Sequence, residues 1–228
     1  HESFGVVESL GPGAVGLSPG DPVVPMVRRP DDCRACRGGE PDMCLKGEYT
    51  ERGIKGSHGF LAEYYVEAPR YLLPVPRELA DVAVLLEPLA VVEKGLRHAW
   101  ALQKRTGAWW PRRALVLGAG PLGLLAAVLL RLRGLDTFVY ARHRDPVLAR
   151  RLEEIGATYV AKHDPAGPIH VPDLARRFGP FDFLLEATGA PEVAMAAMRV
   201  IGPGGVLCLA SVTGGEERLE ICAACLEL

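Results

Sequence analysis

From residue 113 onward, short apolar runs that suit buried strands take turns with runs of helical spacing. The strand-like runs are RALVLG (113–118), TFVYA (137–141), TYVA (158–161), FDFLLEA (181–187) and GGVLCLA (204–210). Between them stand PLGLLAAVLLRL (121–132), DPVLARRLEEIG (145–156), VPDLARRF (171–178) and PEVAMAAMRV (191–200). A strand followed by a helix and another strand pairs with it in parallel, and helices then cover both faces of the sheet. Residues 96–228 are therefore predicted to form a doubly wound α/β domain.

Upstream the grammar changes. Residues 1 to about 85 are rich in Gly, Pro, Val and Tyr, with strand-like runs FGVVESL (4–10), DPVVPMV (21–27) and FLAEYYV (60–66) between turn residues, and a loop-rich lobe at about 29–59. PLAVVEKGLRHAWALQ then switches to helical spacing, with Pro88 at a first helical position. The first domain is set at 1–95.

Bulk properties favour small-molecule chemistry. With 26 basic and 28 acidic side chains and a formal charge of -2, no broad basic surface for nucleic acid or anionic lipid is offered. The apolar run at 122–132 is too short to span a bilayer. No signal peptide is evident and the six cysteines are too sparse for a secreted disulfide scaffold, so the cytoplasm is the expected compartment. The chain opens at His1 without methionine and is expected to be part of something longer.

Gly118, Gly120 and Gly123 form G-x-G-x-x-G directly after the first strand and at the head of the helix containing Pro121 and Leu122. In that context glycine lets the backbone approach a pyrophosphate at a helix N-terminus. Where an acidic residue would accept from the adenosine ribose, the chain has Arg142, His143 and Arg144. A guanidinium cannot accept from a hydroxyl but binds a 2′-phosphate in a fork, which favours NADP and leaves NAD as the alternative. Asp145 is a poor substitute acceptor, since DPVL reads as an N-cap followed by proline. Thr188 and Gly189, in EATG at a strand end, are candidates for the nicotinamide side, or else an ordinary turn.

Cys33 and Cys36 are separated by two residues, and Cys44 follows after seven more, a spacing suited to a zinc knot short of one ligand. Asp31, Asp32 and Glu48 are the available oxygen donors; a lobe without metal is the other reading. Cys222 and Cys225 have apolar neighbours and read as buried free thiols. His58, His98, His163 and His170 read as structural or surface residues.

HESFGVVESLGPG, GDPVV, GSHGFLAEY and the helix after LLEPLAVVEKG, in this order, make the whole chain resemble the zinc-dependent medium-chain dehydrogenase/reductase family, whose fold is a GroES-like β domain followed by a Rossmann domain. RRPDDCRACRGGEPDMC and GEYTERGIKGSHGF are similar to its glucose dehydrogenase branch. The resemblance implies a partial GroES-like domain here, with His1 and Glu87 as ligands of a catalytic zinc, Glu2 exchanging on and off the metal, and Glu51 bonding sugar hydroxyls. It also implies a cysteine ligand upstream of His1, outside the sequence given. In the lobe the family carries four cysteines; Cys33, Cys36 and Cys44 match the last three, and Pro30 stands in the first place.

A metal held by three protein groups keeps a position open for a substrate oxygen. The expected activity is oxidation of an aldose, chiefly glucose, to its lactone by a zinc enzyme using NADP, in a homodimer or homotetramer. The alternatives are a dehydrogenase of another polyol or alcohol, and a nucleotide-binding relative without chemistry. A zinc-knuckle RNA binder is opposed by the near-neutral charge.

Overall fold

The computed structural model describes residues 1–211. The chain divides into two compact units, His1–Pro88 and Leu89–Leu228.

The first unit is made of short strands and turns. β1 (Gly5–Val6), β2 (Pro22–Pro25) and, late in the unit, β6 (Leu72–Pro74) form one antiparallel sheet in the order β1-β2-β6. A second sheet joins β3 (Arg28–Arg29), β4 (Thr50–Arg52) and β5 (Gly56–Ser57); the one-turn helix α1 (Arg34–Arg37) lies between β3 and β4 in sequence. Every residue of β2 is buried, which suits Val23 and Val24 at the centre of a three-stranded sheet.

One expected strand is missing. Phe60–Val66 forms no strand, and Leu61, Tyr64 and Val66 face solvent. The segment has strand-like composition, but a strand needs a ladder partner, and no described strand runs beside it.

The helix that leads out of the first unit begins earlier than its proline suggests. A 3-10 stretch over Arg77–Leu85 runs into α2 (Leu86–Lys104), so Pro88 is the third helical residue. Proline is tolerated anywhere in the first turn because those N–H groups have no intrahelical acceptor. Glu87 accordingly stands inside the first turn.

In the second unit the elements follow as β7 (Arg113–Leu117), α3 (Pro121–Leu132), β8 (Asp136–His143), α4 (Pro146–Glu154), β9 (Thr158–Asp164), β10 (Gly167–Pro168), α5 (Asp173–Phe178), β11 (Phe181–Glu186), α6 (Pro191–Ala197) and β12 (Ile201–Leu209). They build a six-stranded sheet in the order β10-β9-β8-β7-β11-β12, parallel throughout except for the two-residue edge strand β10. The alternating pattern foretold the five parallel strands; β10 is too short to leave a periodic signal. The chain winds outward from β7 through β8 and β9, then returns to lay β11 on the other side of β7.

The period-2 arrangement of side chains sorts the core into two layers. Ala114 and Val116 of β7 pack with Val92 and Leu96 of α2 and with Ala126, Ala127 and Leu130 of α3. Leu115 and Leu117 face the opposite way, against Val171, Leu174 of α5 and Ala197 of α6. These four of the five β7 side chains are fully buried; full burial of a Val or Leu side chain is worth about 1.5–3 kcal/mol, which makes β7 the structural spine of the unit.

At the amino-terminal end of β7 and β8 a groove of about 550 Å³ is lined by Trp100, Trp109, Trp110, Arg112, Arg133 and Leu135, together with Pro111. These are the three tryptophans of the chain.

Candidate functional sites

The reversal of winding between β7 and β11 creates a crevice at the carboxyl ends of these strands, where doubly wound sheets bind their ligands. The glycine turn fills the β7 side of it. A Cβ on Gly123 would lie 1.9 Å from the Gly118 carbonyl oxygen, so only glycine lets the first turn of α3 fold back on the end of β7. Gly118 itself has φ +110°, and a Cβ there would come within 2.9 Å of the Ala187 carbonyl oxygen. Gly120, the N-cap of α3, has nothing within 4 Å of a notional Cβ. Two glycines thus serve close packing, whereas the third keeps clear a helix N-terminus, the arrangement a pyrophosphate fits. Pro121 and Leu122 open α3.

Arg142, His143 and Arg144 sit at the end of β8 and are exposed. His143 stacks on His163 of β9, ring centroids 5.2 Å apart, while Arg144 Nη1 lies 3.4 Å from Asp164 Oδ2. The expected cap is present: Asp145 Oδ1 accepts from the Val147 and Leu148 backbone N–H groups at 2.9 and 3.1 Å, so one of its oxygens is committed to α4. This corner is rich in positive and ionisable donors, which fits a 2′-phosphate better than a bare ribose.

On the β11 side lies a residue that no sequence motif singled out. Glu186 is 2% exposed, and its Oε1 accepts from Thr188 N (2.6 Å), Thr188 Oγ1 (2.5 Å) and Gly189 N (3.1 Å). Its Oε2 accepts from Ser211 Oγ. An acidic residue closing the apolar run FLL at the end of the strand was the signal available.

In the first unit His1, Glu2 and Glu87 come together, each offering one ligand atom within 4.8 Å of the others. His1 Nδ1 is 3.1 Å from Glu87 Oε1. Gly53, with φ +75°, leaves little room for a side chain: a Cβ there would lie 3.2 Å from both the Gly59 α-carbon and the His1 nitrogen. Burial, and after it the neighbouring Glu2 and Glu51 carboxylates, hold the Glu87 carboxyl above its ordinary pKa. Two carboxylates, Glu2 and Glu87, gathered beside one imidazole repel each other unless a cation joins them, and a nitrogen with two carboxylate oxygens is a donor set suited to zinc.

Glu51 is oriented by Arg28, whose Nε (2.9 Å) and Nη2 (2.8 Å) both donate to Oε1. Arg28 in turn lies over the Tyr49 ring at 4.0 Å. Among the described residues no donor is bonded to Glu51 Oε2.

The cysteine lobe gathers Asp31, Cys33, Cys36 and Cys44, with donor atoms all within 4.8 Å. Of the three oxygen donors proposed for the fourth corner, Asp31 is the one in place. Its Oδ2 is 2.8 Å from Cys44 Sγ, and its Oδ1 accepts from Cys33 N at 2.9 Å. Asp32 instead pairs with Lys46, and Glu48 is not part of the cluster. Backbone N–H groups point at the sulfurs: Cys36 N and Leu45 N at Cys33 Sγ, both 3.5 Å, and Gly47 N at Cys44 Sγ, 3.2 Å. Those donors pull the Cys33 thiol below its usual pKa, while burial and then the Asp31 carboxylate push Cys36 up to about 12. A buried thiolate that is costly alone and surrounded by further anionic donors fits a tetrahedral divalent cation. The described cysteines, Cys33, Cys36, Cys44 and Cys208, are free thiols; Cys222 and Cys225 lie outside the described residues.

No helix among the described residues is long and apolar enough to cross a membrane.

Comparison with known proteins gives concordant matches. The model of the family described as glucose dehydrogenase C-terminus matches residues 80–226, and that of the alcohol dehydrogenase GroES-like domain matches residues 1–77. The glucose 1-dehydrogenase of Methanocella arvoryzae is 46% identical over 230 residues, covering 99% of this chain and 62% of the relative. That of Thermoproteus tenax is 44% identical over 214 residues, covering 93% and 57%. Among solved structures, Haloferax mediterranei glucose dehydrogenase in complex with NADP, Zn and gluconolactone superposes with a TM-score of 0.87 at 34% identity, covering 100% of this chain and 63% of that one. The chain therefore spans about three fifths of the length of these relatives.

Proposed function

The chain belongs to the zinc-dependent medium-chain dehydrogenase/reductase family, in its glucose dehydrogenase branch, and on that premise we propose that the protein oxidises glucose at C1 to the lactone with NADP as hydride acceptor. Residues 1–95, with the lobe at 29–59, are the catalytic portion in this reading, and 96–228 the cofactor portion. The observation that carries it is the gathering of His1, Glu2 and Glu87 into one donor set in a chain so similar to glucose 1-dehydrogenases.

When bound, zinc would acidify the C1 hydroxyl of the sugar, whose proton would leave to solvent, and NADP would supply the acceptor for the C1 hydride. His1 and Glu87 hold the cation, and Glu2 is the third donor. Glu51, fixed through Oε1 by Arg28, turns Oε2 to a sugar hydroxyl and so orients the ring. Gly118, Gly120, Pro121, Leu122 and Gly123 receive the pyrophosphate at the head of α3. Arg142, His143 and Arg144 bind the 2′-phosphate, which favours NADP with NAD as the weaker alternative; Thr188 and Gly189 line the nicotinamide. Cys33, Cys36, Cys44 and Asp31 hold a second, structural zinc. The family resemblance supports a homodimer or homotetramer, and the free thiols support the cytoplasm.

The test is metal analysis of the full-length protein coupled to NADP reduction assays with glucose, galactose, xylose and ethanol. Two zincs per subunit and a clear preference for glucose are expected. Faster turnover of another alcohol would move the assignment to a different dehydrogenase, and nucleotide binding with no turnover would make the protein a binding relative.

A further inference from the structure

We propose that Glu186 is a positioning residue for the nicotinamide half of the cofactor, acting through the Thr188–Gly189 turn. The inference rests on the reading of the crevice as a dinucleotide site.

A carboxyl group at the end of a buried strand is costly to desolvate, and a structural role alone would be met more cheaply by an apolar residue. Glu186 is nevertheless among the largest fully buried side chains of the chain, in register with Leu117 of β7 and Leu209 of β12. Its two oxygens are placed to hold the turn into α6. Oε1 draws in both donors of Thr188 and the N–H of Gly189, which stands at φ +69°. The Thr188 hydroxyl, committed as a donor to Glu186, accepts from Ala190 N at 3.1 Å, and Ala190 is the N-cap of α6. Oε2 reaches across to Ser211, just beyond β12. On the opposite flank Ala187 N donates to Leu117 O at 2.9 Å, and the Ala187 carbonyl presses on Gly118. One side chain thus defines the path of the β11–α6 turn and braces it on one side, while the backbone of the next residue sets it against the glycine turn.

Three donors converge on a single oxygen, so the position needs a side-chain oxygen acceptor at this reach. Alanine at this position leaves those donors without their partner, and they turn to water or to a new backbone path. The turn shifts, and with it the surface that the nicotinamide meets. The pyrophosphate and adenosine subsites, built on β7, α3 and β8, keep their own hydrogen bonds and glycine contacts. The expected signature is a defect confined to the nicotinamide end.

The experiment compares wild type, Glu186→Ala, Glu186→Asp and Glu186→Gln in the full-length protein. Calorimetry measures affinity for NADP and for 2′-phospho-ADP-ribose, which lacks only the nicotinamide ring; stopped flow measures hydride transfer to NADP at saturating glucose. Glu186→Ala is expected to bind the fragment within about twofold of wild type while hydride transfer slows by about tenfold to a hundredfold, the range for a small misplacement of a reacting group. Glu186→Asp, a methylene too short to meet all three donors, shows the same split and serves if the alanine variant does not fold. Glu186→Gln, whose amide oxygen can replace Oε1 and whose NH₂ can donate to Ser211 Oγ, recovers most of the rate. Fragment and dinucleotide affinity falling in parallel, or hydride transfer unchanged in a folded variant, overturns the proposal. A wild-type protein that binds neither ligand overturns the dinucleotide reading itself. Should wild type bind both without oxidising glucose, the NADP-to-fragment affinity ratio decides the role of Glu186: a ratio lowered in Glu186→Ala or Glu186→Asp upholds it, and an unchanged ratio overturns it.

Discussion

His1 Nδ1 and Glu87 Oε1, from the two ends of the first unit, lie 3.1 Å apart. An imidazole and a carboxylate at that separation attract as an ion pair only when the imidazole is protonated; neutral, the imidazole is available as a ligand. His1→Ala and Glu87→Ala in the full-length protein are each expected to lower glucose oxidation by about a hundredfold or more, since a Lewis acid supplies several kcal/mol of transition-state stabilisation. NADP affinity, measured by calorimetry, stays within about twofold, because neither residue belongs to the glycine turn.

The lobe makes a separate prediction. Asp31→Ala removes the oxygen corner and is expected to weaken zinc retention at that site by at least about tenfold, the lower end of what even indirect support of a ligand is worth. Zinc per subunit, followed during titration with a chelator, drops by one before the catalytic metal is lost. Asp32→Ala removes only an exposed pair with Lys46 and leaves the titration unchanged.

Cofactor choice separates Arg142 and Arg144 from Asp145. Arg144→Ala, alone or with Arg142→Ala, raises KM for NADP by about tenfold to a hundredfold, the worth of a charge-assisted hydrogen bond, and leaves KM for NAD within about twofold. Asp145→Ala lowers stability by about 1 kcal/mol through loss of the cap on α4 without changing the NADP-to-NAD ratio. A ratio that moved with Asp145 would identify it as a ribose acceptor after all.

Gly123→Ala is expected to be costly in stability. The added methyl meets the Gly118 carbonyl oxygen at 1.9 Å, and backbone cannot rotate away as a side chain would. The expected loss is about 3 kcal/mol, the upper end for overpacking, read as a lowered midpoint in urea. Gly120→Ala, with open space around it, folds normally but binds NADP more weakly, because the methyl intrudes where the pyrophosphate is received.

Features of this chain that depend on neighbours in sequence were legible before any coordinates. The five parallel strands, the glycine turn and the Asp145 cap are all written in windows of a few residues, where periodicity and capping chemistry act directly. What needed the third dimension was partnership. FLAEYYV has the composition of a strand, yet a ladder requires a second chain segment. Asp31, Asp32 and Glu48 were equal in type and close in sequence; the path of the chain before Cys33 turns Asp31 toward Cys44 and sends Asp32 toward Lys46. Thr188 and Gly189 could be read from EATG, but that Glu186 binds the Thr188 hydroxyl, two backbone N–H groups of the turn and Ser211 just beyond β12 is a partnership that no short window encodes.

The clustering of Trp100, Trp109 and Trp110 in one groove, at the end of the sheet away from the glycine turn, has a practical side. All indole emission from this chain originates at a single address. An unfolding trace followed by tryptophan fluorescence records when the base of the parallel sheet lets go, and it is a poor witness to metal leaving the lobe; that event is better watched through thiol reactivity or absorbance of a cobalt-substituted sample.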